Sequence, residues 1–317
     1  MLNPQREDIQ IICKHSNWSK NEVSKTLKTA IYNDAPAWRK FLQLLLITLG
    51  IAFTVAGIVF FFAYNWENLG KVGKFAIVEG CIVAITVAVL FSRLALIVKK
   101  ILLTGAAIIV GAMFAVFGQV YYTGANTCDF FLAWTVFISL WAIVSNFPPL
   151  WLVYVALINT TICFYAQQVA PWSRDFTFLL LLLVNVACFL FFMLISTFGS
   201  ITVPRWFRNV LGLWTAGIAT IGVNGAILDK HLDVTAISIY VFTAVAYIAG
   251  ALYGFRQKSG FFLGSISFSV ILMIASLLVR ILPSVEMMSF VSLFVVLSVT
   301  LVIAQLINLQ KSIRHEK

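Results

Sequence analysis

Hydrophobic stretches long enough to cross a bilayer recur ten times between Phe41 and Leu309, and only short polar segments separate them. A span needs about 20 apolar residues, because the hydrocarbon core is about 30 Å thick and an α-helix rises about 1.5 Å per residue. Inside that core the backbone must satisfy its own hydrogen bonds, so helices are the expected form. The predicted spans are Phe41–Tyr64, Phe75–Val98, Ile101–Tyr122, Phe130–Asn146, Leu150–Ala166, Phe176–Phe198, Phe207–Leu228, Val234–Gly254, Phe261–Leu282 and Met287–Leu309.

These segments predict an all-α, polytopic integral membrane bundle of about ten transmembrane helices. The fourth and fifth segments are the shortest, and Asn146-Phe147-Pro148-Pro149 joins them. Two prolines fix the chain and remove backbone donors, so we expect a tight turn there rather than one continuous helix. The bundle is expected to occupy residues 41–309, preceded by a cytosolic helical hairpin (1–40) and followed by a cytosolic tail (310–317).

The first 40 residues carry signals for two short helices. Asn3-Pro4 places a cap residue before a proline in the first helical position. Ser19-x-x-Glu22 is a capping box and marks a second start. We expect this hairpin to pack on the cytoplasmic ends of the spans, and the alternative is that it docks a protein partner.

Composition and charge agree with a membrane protein. Hydrophobic residues make up 61% of the chain and charged residues 11%, a balance with which a soluble domain could not keep a wettable surface. Of the 22 Lys and Arg residues, 17 fall on one side of the predicted bundle, which puts both termini in the cytoplasm by the positive-inside rule. Because the basic residues are scattered over the loops, the net charge of +10 is a topology signal and predicts the lipid bilayer, not nucleic acid, as partner.

Signals for secretion, catalysis and metal binding are weak. No cleavable signal peptide is expected, because the first apolar segment begins at Phe41 and is much longer than an h-region. The three histidines lie outside the spans without metal-ligand spacing, and no phosphate loop, nucleophile elbow or HExxH is found. We therefore expect no enzyme, no catalytic residue, no metal and no cofactor. A Cys128–Cys163 bridge on the outer side is left open but not favoured.

A few polar side chains fall inside the spans. Glu79 is the acidic residue clearly within one, and an ionised carboxylate facing lipid there would cost several kcal/mol. We expect Glu79 to face the protein interior, with proton or cation handling and a structural pairing with Arg280 as equal alternatives. The amides of Asn159, Asn185 and Asn224 are expected either to bond across helices, which is the commoner outcome, or to line a polar path.

Small residues recur at four-residue spacing in three spans. The clearest case is Ala246-xxx-Gly250-xxx-Gly254 in the eighth span. Such a face lets helix backbones approach closely, so it predicts a compact bundle. Dimerisation through one of these faces is the less favoured alternative.

Two stretches of the chain resemble a known family. In Phe61–Leu69 the first span ends in an Asn-Trp pair, and Lys74 follows shortly after. The second stretch is Gly118–Ala125, with the sequence GQVYYTGA, followed by Trp134. Over roughly residues 10–150 the chain resembles the bacterial predicted membrane proteins classed as domain of unknown function 2157. The resemblance implies a bacterial cytoplasmic (inner) membrane protein, and it implies no substrate because the family has no assigned activity.

Both family stretches fall on the extracytoplasmic side of the predicted topology. One hypothesis is that they converge on one polar pocket in the outer leaflet, with Glu79 at a similar depth. The alternative, which we favour slightly, is that the amides cap helix ends while the aromatic rings sit at the membrane interface. The residues that would line the pocket are Asn65, Trp66, Gln119, Tyr121 and Thr123.

Two function classes stay open. A small-solute transporter or permease-like protein needs a polar path near mid-membrane, which the intramembrane asparagines and Glu79 would supply; we favour this class. A non-enzymatic membrane sensor, assembly or accessory protein needs only a docking surface, which the N-terminal helices and the outer-leaflet pocket would supply. A water-filled cavity reaching Asn185 or Asn224 would support a carrier, and a tightly packed midplane would count against one.

Overall fold

The computed structural model describes residues 9, 13, 16–30, 35–65, 69–121, 124, 126–198, 203–229, 233–257, 259–281 and 285–315. Within these residues all regular elements are α-helices, and ten of them, α2 to α11, are long and apolar enough to cross a membrane. This confirms the predicted all-α polytopic fold. The helices are α1 Lys20–Ala30, α2 Ala35–Asn65, α3 Lys71–Phe91, α4 Leu96–Tyr121, α5 Thr127–Ser145, α6 Pro148–Gln168, α7 Arg174–Phe198, α8 Arg205–Leu228, α9 Val234–Arg256, α10 Gly260–Ile281 and α11 Val285–His315.

The boundary between the second and third spans differs from the prediction. The apolar run Phe75–Val98 was expected to be one span, but α3 ends at Phe91 and α4 begins at Leu96. Ser92 leaves the helix in extended backbone, with φ −79° and ψ 154°. The break begins with the polar pair Ser92-Arg93, but the residues that follow, Leu94 to Val98, are apolar again, so the predicted span extended past the break. Lys100 consequently lies inside the first turns of α4 rather than before them.

The predicted tight turn between α5 and α6 is confirmed. Asn146 ends α5 in the left-handed region, at φ 42° and ψ 56°, which an Asn tolerates better than most side chains. Pro148 opens α6, where its missing N–H has no partner to lose. At the opposite end of this pair, the backbone N–H of Cys128 donates to Gln168 Oε1 at 2.9 Å. The thiols of Cys128 and Cys163 are both free, so the bridge left open by the sequence is absent.

The predicted capping box at α1 is confirmed. The Ser19 N–H donates to Glu22 Oε2 at 2.8 Å, and the Glu22 N–H donates to Ser19 Oγ at 3.3 Å. The hydrogen bonds from the Ser19 backbone N–H and hydroxyl lower the pKa of the Glu22 carboxyl from its ordinary value. The other predicted helix of the hairpin, which starts at Asn3-Pro4, lies largely outside the described residues.

The chain divides into two compact units, Met1–Met113 and Phe114–Lys317. In unit 1, α4 packs closely on α2, because a Cβ added at Gly105 would lie 2.8 Å from Ile51 Cγ2. In unit 2, α8 is the most buried spanning helix. Its Gly222 lies so close to α7 and α9 that an added Cβ would be 2.9 Å from Phe178 Cβ and 2.7 Å from Ile239 Cδ1.

The small-residue face of α9 packs as predicted. A Cβ added at Gly250 would lie 3.0 Å from Ile266 Cδ1, and one added at Gly254 would lie 3.0 Å from Leu263 Cγ. These contacts bring α9 and α10 into close approach within unit 2. Beside them the rings of Phe192 on α7 and Phe207 on α8 meet edge to face, with centroids 4.8 Å apart. Helices α7 to α10 thus form one packed group.

Candidate functional site

Two of the three intramembrane asparagines satisfy each other. Asn185 Nδ2 donates to Asn159 Oδ1 at 2.6 Å, and Asn159 Nδ2 donates to Asn185 Oδ1 at 3.2 Å. Each amide also donates to the carbonyl four residues earlier in its own helix, at 2.7 Å. The two residues are only 6% and 2% exposed. The pair therefore joins α6 to α7 and lines no open polar path.

A cavity of about 340 Å³ lies between α7, α8, α9 and α10, entirely within unit 2. Its size falls in the range of about 300–1,000 Å³ that small-molecule pockets occupy. Small residues of α8 and α9 form part of its wall, and side chains of α10 pack against the glycines among them. Gly212 and Ala216 lie one turn apart on α8, while Ala246 and Gly250 lie one turn apart on α9, and all four line the cavity.

The cavity opens to the outside between α7 and α9. Its lining includes Leu183 and Leu190 on α7 and Phe242 and Val245 on α9, which are between 39% and 59% exposed. Large apolar side chains exposed on two spanning helices face lipid in a membrane. The opening is therefore lateral, toward the hydrocarbon region of the bilayer.

The hydroxyl groups in the cavity wall are already bonded within the protein. Thr215 Oγ1 and Ser265 Oγ each donate to the carbonyl four residues earlier in their own helix, at 2.8 and 2.9 Å. The Tyr247 hydroxyl donates to the Ala216 carbonyl at 3.1 Å and lies 3.1 Å from Thr220 Oγ1. The wall thus offers a ligand mainly apolar surface.

One end of the cavity carries a positive charge. Arg208 Nη1 donates to the hydroxyl of Tyr253, a lining residue, at 3.2 Å. Arg208 Nε is buried without a hydrogen-bond partner among the described residues. Arg208 also precedes Gly212 of the cavity wall by one turn, so the two share a face of α8. The guanidinium lies just beyond the apolar wall.

The other end of α7 to α10 holds a polar cluster. Arg174 and Asp229 form an ion pair at 3.6 Å, and both are about half exposed, so its stabilising effect is small. Nearby, Asp175 Oδ1, Asn224 Oδ1 and the Tyr240 hydroxyl are buried without a partner among the described residues. In the described part of the chain, no three His, Cys, Asp or Glu side chains are grouped to hold a metal ion.

Glu79 differs from its expected environment. Its side chain is exposed in unit 1, and it forms no described hydrogen bond or ion pair there. The buried face of α3 is instead formed by Lys74 and Val78, one turn apart. Glu79 is rotated about 100° around the helix from Val78, so unit 1 does not enclose it. Arg280, its suggested partner, belongs to unit 2 and interacts electrostatically with Tyr240.

The predicted outer-leaflet pocket is only partly described. Trp66, Thr123 and the side chain of Asn65 lie outside the described residues. Gln119 and Tyr121 are exposed at the end of α4, where the Tyr121 ring lies 4.9 Å from Phe117. Asn65 and Trp66 belong to unit 1, whereas Gln119, Tyr121 and Thr123 belong to unit 2. The convergence of these five residues on one pocket therefore stays a prediction.

Sequence reasoning did not identify Arg208, Tyr247 or Tyr253 as site residues. Arg208 entered only into the charge count, and the Ala246-xxx-Gly250 face was interpreted as a packing surface. The signal that could have pointed to the cavity is the recurrence of small residues at four-residue spacing on both α8 and α9.

Residues 19–151 match the model of a family described as "Predicted membrane protein (DUF2157)". The match runs from α1 to the first turn of α6, and it confirms the resemblance carried by the two stretches around Asn65 and Gln119. The description assigns no activity to the family. No curated protein and no solved structure matches the chain. The cavity of unit 2 lies beyond the matched residues.

Proposed function

We propose that this protein binds a hydrophobic ligand from the bilayer in the cavity of unit 2 and acts as a non-enzymatic membrane sensor or accessory protein. The observation that carries the proposal is the lateral opening between α7 and α9 onto a wall whose hydroxyls are already bonded. A hydrocarbon chain of the ligand that enters from the bilayer exchanges one apolar environment for another, so it loses no hydrogen bonds on the way.

A polar solute fits this wall poorly. Each polar group that loses water without a new partner costs about 1–3 kcal/mol. The Asn159–Asn185 pair offers no replacement, because its amides bond each other and the backbone. These two facts favour the sensor or accessory class over the solute carrier that the sequence favoured.

We place the protein in the bacterial cytoplasmic membrane with both termini in the cytoplasm, as the distribution of Lys and Arg favours. Helix α1 then lies on the cytoplasmic side, where it can dock a protein partner. Val23 and Leu27, one turn apart on α1, form the apolar stripe through which such a partner would bind.

Blocking the opening tests the proposal. Ala249 on α9 lines the cavity and is exposed, so Ala249→Phe should fill the opening without disturbing the core. Ala244 is exposed on the same helix but lies outside the cavity wall, and Ala244→Phe is the matched control. Both variants and the wild type are purified in mild detergent, and the retained hydrophobic molecules are measured by mass spectrometry. Only Ala249→Phe should lose them; equal retention in all three proteins contradicts the proposal.

Small-solute transport is the second candidate, and the polar cluster at the far end of unit 2 supports it. Asn224 and Asp175 each present a buried oxygen without a partner among the described residues, as a hydrated site would. A carrier of this kind should lose solute flux in proteoliposomes when Asn224 is changed to Leu, whereas Ala249→Phe should leave that flux unchanged.

A further inference from the structure

We infer that the ligand of this cavity is an anionic membrane lipid whose acyl chain occupies the apolar wall and whose head group is bound by Arg208. The inference rests on the proposed function and names the chemistry of its ligand. Three features carry it: the unused donors of Arg208, the lack of acidic residues in the two chain segments that hold Arg208 and Tyr253, and the length of the cavity.

The guanidinium of Arg208 has capacity for an anion. An arginine carries five N–H donors, and among the described residues the side chain of Arg208 uses one, to Tyr253. Its Nε is buried and unpaired. A buried donor without a partner is destabilising, so a phosphate oxygen there would supply a strong, charge-assisted hydrogen bond.

No acidic residue in the neighbouring segments can neutralise this end of the cavity. The chain contains no Asp or Glu from residue 193 to 215 or from residue 247 to 270. The first stretch covers the end of α7 and the start of α8 with Arg208, and the second covers the end of α9 with Tyr253 and the start of α10. Arg205 and Arg256 add exposed positive charge at the same ends of α8 and α9. The charges of these two segments therefore attract an anion and disfavour a cation.

The length of the cavity matches one leaflet. Along α9 its wall runs from Phe242 to Tyr253, which corresponds to a rise of about 16 Å. Half of a bilayer core is about 15 Å thick. Phe242 lies near the middle of α9, and Tyr253 lies one turn from its end at Arg256. A lipid with its head at Arg208 would therefore place its chain end near the bilayer midplane.

Lipid competition tests the inference. The full-length protein is reconstituted in nanodiscs of equal phosphatidylglycerol and phosphatidylcholine with identical acyl chains, and retained lipids are measured by native mass spectrometry. Wild type should retain the anionic lipid preferentially. Arg208→Gln should lower that preference about tenfold, the effect of losing a charge-assisted hydrogen bond. Arg256→Gln removes the same charge from the same end without touching Tyr253, and should lower it by less than about fivefold.

The outcomes separate the inference from the proposed function. If Arg208→Gln and Arg256→Gln lower the preference equally, or Arg208→Gln leaves it unchanged, the head-group assignment is overturned while the cavity still binds lipid. If Ala249→Phe retains both lipids as wild type does, the cavity is not the binding site and the proposed function fails as well.

A measurement on the wild type covers the case in which Arg208→Gln does not fold. Two phosphatidylglycerol probes are used, one with a photoreactive group beside the head and one with it at the chain end. The first should label α8 near Arg208 or α9 near Tyr253, and the second should label α9 near Phe242. Head-group labelling at the Arg174 end of unit 2, or labelling outside the cavity wall, overturns the inference.

Discussion

Asn159 and Asn185 hold α6 and α7 together by two reciprocal amide hydrogen bonds of 2.6 and 3.2 Å inside unit 2. Each side chain also bonds its own helix, so the pair leaves little polar capacity unused. Amides at this depth are of the residue types from which a polar transport path is built. Here, among the described residues, the two amides bond only each other and their own helices, and the cavity of unit 2 lies elsewhere, among α7, α8, α9 and α10.

The asparagine pair should show strong coupling in a double-mutant cycle. Asn159→Leu or Asn185→Leu alone leaves one buried amide without its partner and should destabilise the protein by about 1–2 kcal/mol. The double substitution should cost less than the sum of the two, because it removes both amides together. The stability of the wild type, the two single variants and the double variant is measured by thermal unfolding in detergent. Strictly additive effects would show that the two amides do not depend on each other.

Gly212 is required for the shape of the cavity. A Cβ at this position would lie 2.5 Å from Cε1 of Phe262, so Gly212→Ala must displace that ring, which itself lines the cavity. We expect a destabilisation of about 1–3 kcal/mol and reduced lipid retention. A Cβ added at Gly217, on the same helix, would meet no atom within 4 Å. Gly217→Ala should therefore be neutral, or stabilising by up to about 1 kcal/mol through the higher helix propensity of Ala. Similar loss of retained lipid in both variants would argue against the described wall.

The capping box of α1 should depend on pH. The Ser19 backbone N–H and the Ser19 hydroxyl both donate to the Glu22 carboxylate and lower its pKa in the folded protein, so the ionised carboxylate stabilises the helix start. That contribution is fully present above the pKa of the unfolded chain and is lost as the pH falls through the lowered folded pKa. Carbon-13 NMR of the Glu22 carboxyl should give a lower pKa in wild type than in Ser19→Ala. Because Ser19→Ala keeps the backbone N–H donor, an identical pKa in both proteins would mean that the Ser19 hydroxyl does not bond the Glu22 carboxylate in solution.

Topology can be mapped with reporter fusions. The 17-to-5 division of basic residues predicts cytoplasmic reporters after Arg93 and Lys258, and extracytoplasmic reporters after Asn126 and His231. Paired fusions to a fluorescent protein, active in the cytoplasm, and to alkaline phosphatase, active outside it, give opposite readings at each point. A reversed reading at Asn126 would show that α4 does not cross the membrane as described.

The sequence was sufficient to predict the number and position of the spans, because every segment in the bilayer core must be predominantly apolar whatever its neighbours in the fold. Hydropathy therefore located ten helices, and the proline pair at Pro148 located the turn before α6. Hydropathy missed the end of α3 because Leu94 to Val98 are apolar, so the predicted span ran past Ser92 and Arg93, where the helix ends.

The candidate site was far less predictable than the fold. Whether Asn185 faces a partner or a path depends on the rotation of α7 against α6, which one sequence does not encode locally. The cavity depends on how α7, α8, α9 and α10 pack, because Gly212 and Gly250 both lie against side chains of α10, and this arrangement is set only by the tertiary fold. Glu79 shows the same limit, because its exposure follows from which face of α3 packs.

Cryo-electron microscopy of the full-length protein in nanodiscs containing phosphatidylglycerol would show whether a lipid occupies the cavity of unit 2. We predict elongated density that enters between α7 and α9 and runs from Phe242 to Tyr253, with its head-group density in contact with Arg208. A cavity closed by side-chain movement, or one filled with ordered water continuous to Asn224, would contradict this prediction.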